Sequence, residues 1–172
     1  MPKAKGYHRL RKHRISAAGC QYFLTLCTAG KARGLACNQI FDTSLAVFSK
    51  IESESKGALN AQVIMPDHLH LLITLQGSTT LSQFVASYKG RLSPTLRKKN
   101  LSWQKGAYFD RRLRKNDSID VVLRYMQMNP YRNKLIEHPH QWPYWYCDKQ
   151  HQTYLSSEGE TNVPLPEWLA KG

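Results

Sequence analysis

The sequence predicts an α+β protein in which helices cover one face of an antiparallel sheet. The elements follow one another as strand, helix, two strands and helix, with a further strand and a third helix behind them. A tight turn, Pro66-Asp67, separates two stretches of strand character and predicts a hairpin. The 172 residues, 41% of them hydrophobic, suffice for one compact domain and are too few for two ordinary ones.

Each element follows from a local pattern. Alternating side chains indicate the strands, apolar residues at helical intervals indicate the helices, and glycine, proline or cap residues mark the ends. The predicted elements are a strand over 21–28, a helix from about 38 to 57, a hairpin of 58–65 and 68–75, a helix over 81–96, a strand within 107–114 and a helix over 120–130. Residues 116–118 supply cap residues for the last helix, and Pro130 predicts its end.

Two histidines on the second hairpin strand are the first candidate functional residues. Read with the two-residue period of a strand, Leu69, Leu71, Ile73 and Leu75 form a core face. His68 and His70 then lie side by side on the opposite, more polar face, which we expect to be exposed, and both can reach one metal ion. Two surface histidines without such a role are the alternative, because a metal site needs at least a third ligand.

The third predicted helix supplies that candidate ligand. Tyr125 and Asn129 are four residues apart and therefore share one helix face. A tyrosine hydroxyl is a nucleophile, and an amide oxygen can bind a cation. For Tyr125 alone, a core aromatic with its hydroxyl at the rim is the simpler interpretation.

Taken together, these motifs resemble a known family. A His-hydrophobic-His strand, followed by a helix with Tyr and an amide residue four positions later, is similar to the single-tyrosine HUH transposases. Tyr125 to Pro130, Trp103 to Gly106 and Asp110 to Arg112, together with the modest length, most resemble the REP-associated tyrosine transposases. The resemblance implies a ferredoxin-like or RRM-like antiparallel sheet with helices on one face and the catalytic-tyrosine helix near the histidine strand.

The resemblance also implies a chemistry. Tyr125 would attack a DNA phosphodiester at a REP-type palindromic hairpin with flanking single-stranded DNA, leaving a covalent 5′-phosphotyrosine and a free 3′-hydroxyl. His68, His70 and Asn129 would hold the metal ion. Imidazoles alone favour zinc or other transition metals, whereas amide and phosphate oxygens suit magnesium or manganese. Manganese fits the mixed set best, and the resemblance implies Mg²⁺ or Mn²⁺.

The charge of the chain points to a polyanionic partner. Twenty-five Lys and Arg residues against twelve Asp and Glu give a net charge of +13, which is typical of nucleic-acid binders. No long apolar run or signal peptide is present, so we expect neither a membrane partner nor export. The residues predicted to bind DNA phosphates are Arg9, Arg11, Lys12, Arg14, Lys89, Arg91, Arg111, Arg112, Arg114 and Lys115.

The remaining stretches complete the predicted organisation. Residues 1–19 form a basic arm, 20–147 the transposase-like domain and 148–172 a C-terminal tail, in which the stretch from Pro164 to Trp168 can dock back on the domain. The four cysteines show no ligand spacing and indicate reduced thiols of a cytoplasmic protein, bacterial by the resemblance. Trp142, Tyr144, Trp145 and Tyr146 favour packing over base stacking.

One alternative from another class stays open. A non-catalytic DNA-hairpin or RNA-binding module on the same scaffold satisfies the same basic and aromatic features. A covalent protein–DNA adduct distinguishes the enzyme from the module. The sequence leaves open whether the protein acts as a monomer or a homodimer.

Overall fold

The computed structural model describes residues 17–106, 108–138, 141–155 and 166–170. Its strands are β1 (Gln21–Cys27), β2 (Gly57–Ile64), β3 (His68–Leu75), β4 (Phe109–Arg112) and β5 (Trp145–Cys147). Its helices are α1 (Asn38–Ser53), α2 (Leu81–Arg97), α3 (Ile119–Arg132), α4 (Lys149–Gln152) and α5 (Glu167–Ala170), with one 3₁₀ turn at Ala29–Lys31. The predicted α+β class is therefore confirmed.

The five strands form one antiparallel sheet in the order β4-β1-β3-β2-β5. The central pair, β1 and β3, is aligned so that Thr25 lies opposite His70 and Cys27 opposite His68. A register shift between Leu59 and Ala61 interrupts the pairing of β2 with β3. The histidine strand thus lies in the middle of the sheet, with a neighbour on each side.

Helices α1 and α2 cover one face of the sheet. Their apolar sides pack on the aliphatic face of β1 and β3, where Leu24, Leu71 and Phe84 are fully buried. Helix α2 begins with a capping box. The Gln83 backbone N–H donates to the Thr80 hydroxyl, and the Thr80 backbone N–H donates to the Gln83 side-chain oxygen. This layer is the main core and gives β3 a rigid support.

The opposite face, which carries the histidines, is covered as well. Helix α3 packs there through Val122, Leu123 and Met126 against Phe23 and Leu72 of the sheet. His70 is only 2% exposed, so the expectation of an exposed histidine face is wrong. The physical reason is that Phe23, Leu72 and the apolar side of α3 form a second core around the imidazole.

The end of α3 differs from the prediction. Pro130 lies inside the helix, which continues to Arg132. The helix ends where Lys134 takes a left-handed conformation (φ 56°) and the N–H of Leu135 bonds the carbonyl of Pro130. Ser118 precedes the helix, as predicted, but its side chain makes no capping bond to the backbone.

The C-terminal part of the described chain packs on the domain. The short strand β5, which we did not predict, pairs with β2, and the Trp142 indole N–H donates to the Ile64 carbonyl at 2.9 Å. Within the predicted tail, His151 and Leu169 are buried at 5% and 2% exposure. The division into arm, domain and tail stays a prediction, because residues 1–16 lie outside the described residues.

Two further features of the described chain are the state of its cysteines and the length of its apolar helices. Cys20, Cys27, Cys37 and Cys147, all of them described, are free thiols. Within the described ranges, no helix has both the length and the apolar character needed to cross a bilayer.

Candidate active site

The turn before β3 is held by the loop that follows β1. The backbone N–H groups of Gly34 and Leu35 both donate to the Pro66 carbonyl at 2.9 Å. Thr28 donates to the Asp67 carbonyl through both its backbone N–H and its hydroxyl, each at 2.9 Å. The start of the histidine strand is therefore fixed by four hydrogen bonds from one loop.

His70 is a buried imidazole with a partner on each ring nitrogen. Its Nδ1 lies 2.9 Å from the Thr25 hydroxyl and its Nε2 lies 3.0 Å from Nδ2 of Asn129. The ring stacks on Phe23 at a centroid distance of 5.1 Å. Burial holds the pKa of His70 well below its ordinary value, and the neighbouring His68 lowers it further. The ring is therefore neutral near pH 7 and carries one N–H.

His68 lies beside His70 at the mouth of the site. The two ring centroids are 4.9 Å apart. Nδ1 of His68 is 2.7 Å from the Asp67 carboxylate, which orients the ring. Because a carboxylate only accepts hydrogen bonds, Nδ1 of His68 carries a proton, which leaves Nε2 as the ring nitrogen that can bind a metal ion.

Helix α3 brings Tyr125 and Asn129 to the same histidine. The ring centroids of Tyr125 and His70 are 5.6 Å apart, and Phe23 contacts the tyrosine edge-on at 6.1 Å. Burial raises the pKa of Tyr125, while the Arg132 guanidinium and a hydrogen bond with Asn129 oppose that rise. The Arg132 guanidinium lies 5.7 Å from the centroid of the tyrosine ring.

Hydrogen-bond chemistry fixes the orientation of the amides next to His70. Nδ2 of Asn133 donates to the backbone carbonyl of Asn129 at 2.9 Å and to its Oδ1 at 2.7 Å. Since the carbonyl accepts only, the Asn133 atom facing it is the nitrogen, and the Asn129 atom facing Asn133 is the oxygen. Asn129 therefore turns its N–H toward Nε2 of His70. That nitrogen accepts, and the proton of His70 lies on Nδ1 and points to Thr25.

This arrangement fits a divalent cation with mixed ligands. Nε2 of His70 accepts from Asn129, Nε2 of His68 is the ring nitrogen that Asp67 does not engage, and the Asn129 oxygen becomes a third donor if its amide turns. In the part of the chain that the structure describes, no group of three or more His, Cys, Asp or Glu residues can hold a metal ion. A metal at the two imidazoles thus takes its remaining ligands from amide, water or substrate oxygens, which Mg²⁺ and Mn²⁺ prefer.

These side chains line one pocket of about 380 Å³, together with residues that we did not predict. Lys31 and Arg33 come from the loop that holds the Pro66-Asp67 turn, and Asn133 comes from the end of α3. Neither Lys31 nor Arg33 is among the residues predicted from the sequence to bind DNA phosphates. Two basic residues directly after a strand that pairs with the histidine strand are the signal that could have found them.

The predicted DNA-binding residues have different surroundings. Arg9, Arg11, Lys12 and Arg14 lie outside the described residues. Lys89 donates to the Gln104 carbonyl and lies over the Trp103 ring, and Arg91 donates to both carboxylate oxygens of Glu54 at 2.8 Å. Lys56 and Arg91 lower the pKa of Glu54 to about 2.

The basic residues around β4 also divide into two groups. The Arg111 guanidinium pairs with Asp117 at 3.3 Å and lies 5.1 Å from the centre of the Trp168 ring. The side chains of Arg112, Arg114 and Lys115 are exposed. Among the residues that the structure describes, these three exposed side chains form no ion pair of the kind that holds Arg91.

Comparison with known proteins identifies the family. The model of the IS200-like transposase family matches residues 16–129. The chain therefore belongs to the IS200-like transposases, a family of enzymes that generally use a divalent metal ion. The predicted resemblance is confirmed. No curated protein sequence matches the chain.

One solved structure shows the same fold. A REP-associated tyrosine transposase bound to a REP hairpin superposes with a TM-score of 0.65 at 21% identity, over 77% of this chain and 79% of that chain. A protein from Deinococcus radiodurans R1, described as a candidate transposase, matches with a TM-score of 0.46 at 19% identity, over 81% of this chain and 98% of that one. The first likeness confirms the predicted antiparallel sheet with helices on one face.

Proposed function

We propose that this transposase cuts and rejoins single-stranded DNA at REP-type palindromic hairpins through a covalent phosphotyrosine. The observation that carries the proposal is the edge-to-face approach of Tyr125 to His70, at 5.6 Å, in the pocket that also contains His68. A side-chain nucleophile beside two imidazoles that can hold a metal ion is an arrangement suited to metal-assisted attack on a phosphodiester.

The proposed reaction exchanges one ester bond for another. Oη of Tyr125 attacks phosphorus and forms a P–O bond, while the bond between phosphorus and the 3′ oxygen breaks. The phenolic proton passes to a base, for which the pocket offers the Asp67 carboxylate. The leaving 3′ oxygen takes a proton from solvent and becomes a hydroxyl. The 5′-phosphotyrosine keeps the ester bond energy, so a second 3′ end can reverse the step and complete strand transfer.

His68, His70 and Asn129 are the residues proposed to hold Mg²⁺ or Mn²⁺. When bound, the ion supplies a positive charge that polarises a non-bridging oxygen of the scissile phosphate. Thr25 and Asp67 orient the two imidazoles by accepting from their Nδ1–H groups. Phe23 and α3 exclude water from the inner side of His70.

Lys31 and Arg33 are proposed to bind the phosphates next to the scissile one. Their loop is fixed to the Pro66-Asp67 turn, so both side chains reach the pocket that holds Tyr125. Among the residues predicted from sequence, Arg112, Arg114 and Lys115 are exposed and suited to the strand that leaves the pocket. Lys89, Arg91 and Arg111 remain proposed DNA contacts. They are less available to phosphates than the exposed residues, because each already bonds a protein group.

The substrate class comes from the fold relative that is bound to a REP hairpin. A net charge of +13 and an open pocket of about 380 Å³ with two basic residues in its lining support a DNA hairpin with unpaired flanks as the partner. His68, His70, Tyr125 and Asn129 all come from one chain, which supports a site complete in a monomer. A homodimer that exchanges α3 is the other arrangement.

A denaturing gel tests the proposal. The full chain is incubated with Mn²⁺ and a 5′-flanked hairpin oligonucleotide taken from the DNA beside its own gene. We expect a covalent adduct from the unaltered protein and none from Tyr125→Phe, with hairpin affinity nearly equal for both because only a hydroxyl is lost. Salt-sensitive binding without any adduct from the unaltered protein would identify a non-catalytic hairpin-binding module.

A further inference from the structure

We propose that Asn133 is a positioning residue that turns the Asn129 amide oxygen away from the histidines and thereby weakens the affinity of the site for divalent cations. The inference rests on the proposed role of His70 and Asn129 as metal ligands. It concerns a residue one helical turn beyond Asn129, at the C-terminal cap of α3.

Asn133 is attached to Asn129 at three points. Its backbone N–H donates to the Asn129 carbonyl at 3.0 Å, and its side-chain Nδ2 donates to the same carbonyl at 2.9 Å. The same Nδ2 reaches Oδ1 of Asn129 at 2.7 Å. The Asn129 side chain is buried at 5% exposure, and its other polar neighbours are His70 and the Tyr125 hydroxyl. A hydroxyl donates or accepts, so Tyr125 accommodates either end of the Asn129 amide, and Asn133 selects between them.

The backbone carbonyl makes this orientation the favoured one. A carbonyl oxygen accepts only, so it selects the nitrogen end of the Asn133 amide. That nitrogen in turn selects the oxygen end of Asn129, which leaves the Asn129 N–H for Nε2 of His70 at 3.0 Å. In this orientation every N–H of the series faces an acceptor, and no two donors meet.

Metal ligation requires the opposite orientation. If Oδ1 of Asn129 faces the imidazoles, its Nδ2 faces Nδ2 of Asn133, and two donors meet. Relief comes only if the Asn133 side chain turns as well and gives up its bond to the Asn129 carbonyl. Asn133 itself is exposed, so water compensates part of this loss. We therefore expect Asn133 to weaken cation binding by about two- to fivefold, the equivalent of one modest hydrogen bond.

A double-mutant cycle on the full chain without DNA tests this inference. The dissociation constant for Mn²⁺ is measured by electron paramagnetic resonance for the unaltered protein, Asn133→Ala, Asn129→Ala and the double variant. We expect Asn133→Ala to bind Mn²⁺ about two- to fivefold more tightly, and to have no effect when Asn129→Ala is also present. Weaker or unchanged binding by Asn133→Ala overturns the proposal, as does the same tightening in the Asn129→Ala background.

A second variant keeps the test decisive if circular dichroism shows that Asn133→Ala does not fold. The carboxylate introduced by Asn133→Asp accepts only, so it favours the Asn129 N–H and turns the Asn129 oxygen toward the metal. We expect tighter Mn²⁺ binding than for the unaltered protein. The added negative charge also attracts the cation, but this electrostatic gain persists when Asn129→Ala is present. The proposal is supported only if Asn133→Asp tightens Mn²⁺ binding more with Asn129 intact than with Asn129→Ala. An equal gain in the two backgrounds overturns it.

The outcome is independent of the cleavage assay. If the unaltered protein binds no Mn²⁺, the proposed metal ligands are wrong and this inference fails with them. If Mn²⁺ binds and depends on His70 and Asn129 but not on Asn133, only the role of Asn133 fails. Absence of the DNA adduct, with the expected Mn²⁺ results, would instead reject the proposed reaction.

Discussion

The rings of His70 and Tyr125 meet edge to face, with their centroids 5.6 Å apart. His70 comes from the central strand of the sheet and Tyr125 from a helix that begins more than forty residues later in the chain. Phe23 contacts both rings, at 5.1 Å and 6.1 Å, and holds them in one apolar layer. The proposed metal ligand His70 and the proposed nucleophile Tyr125 are thus positioned by the same core.

Replacing the Thr25 hydroxyl should weaken metal binding. Thr25→Val keeps the shape of the side chain but removes the acceptor for Nδ1–H of His70, which lies 2.9 Å away. Loss of such an orienting partner costs roughly tenfold or more in metal affinity. Calorimetric titration with Mn²⁺ measures the change.

The matched control for Thr25 is Thr74→Val. Thr74 lies on the same face of β3 as His70 but donates to Asn60 at 2.7 Å, far along the strand from the site. We expect its Mn²⁺ affinity to be unchanged. Equal loss in both variants would mean that the effect comes from the stability of the sheet and not from the orientation of His70.

Removing the positive charge of either Lys31 or Arg33 should reduce the salt dependence of DNA binding. Lys31→Gln and Arg33→Gln each eliminate one proposed phosphate contact, which lowers the slope of log affinity against log salt by about 0.7 for single-stranded DNA. Fluorescence anisotropy at several salt concentrations gives the slope. Lys50→Gln, an exposed position on α1 behind the sheet, should leave it unaltered. A slope equally affected by Lys50→Gln would assign the effect to net charge.

Acid should destabilise the protein through His70. Burial lowers the pKa of His70 in the folded chain, so below the unfolded value of about 6.5 the unfolded state binds more protons at this position. The stabilisation is therefore complete above that pH and is lost as the pH falls toward the folded pKa. Urea unfolding across this window should show a smaller pH dependence for His70→Gln than for the unaltered chain. Identical pH dependence would mean that His70 is protonated in the folded protein.

Gly57 should be intolerant of any side chain. A Cβ at this position in β2 would lie 2.9 Å from the Phe84 ring and 3.1 Å from the Thr74 carbonyl oxygen. We expect Gly57→Ala to lower the free energy of unfolding by about 1–3 kcal/mol. Gly90→Ala, in an open position of α2, should raise it by up to about 1 kcal/mol. Thermal denaturation of both variants checks the prediction, and equal stabilities would contradict the packing at β2.

The elements that could be predicted are those whose signal is local. The alternation of Leu69, Leu71 and Ile73 identifies the inner face of β3, and the four-residue spacing of Tyr125 and Asn129 identifies one side of α3. Strand β5 has only three residues, too few for a visible alternation, and it forms because β2 offers a free edge.

The missed parts of the site depend on contacts between distant segments. Lys31 and Arg33 reach the pocket because the loop after β1 bonds to the Pro66 carbonyl, a pairing that no spacing in the sequence reveals. Burial of His70 likewise follows from α3 and Phe23 closing over a face that looked polar. The hydrogen bonds of Asn133 arise from a helix that extends past Pro130.

The most direct test of the account identifies the residue that carries the DNA. The adduct formed with Mn²⁺ and a hairpin oligonucleotide is digested with protease, and mass spectrometry locates the nucleotide-bearing tyrosine. Tyr131 lies in the same helix and is 44% exposed, so it is the alternative nucleophile and the matched control. We expect Tyr131→Phe to form the adduct normally. The account predicts the phosphate on Tyr125, whereas its attachment to Tyr131 or any other residue, or an adduct that persists in Tyr125→Phe, would contradict it.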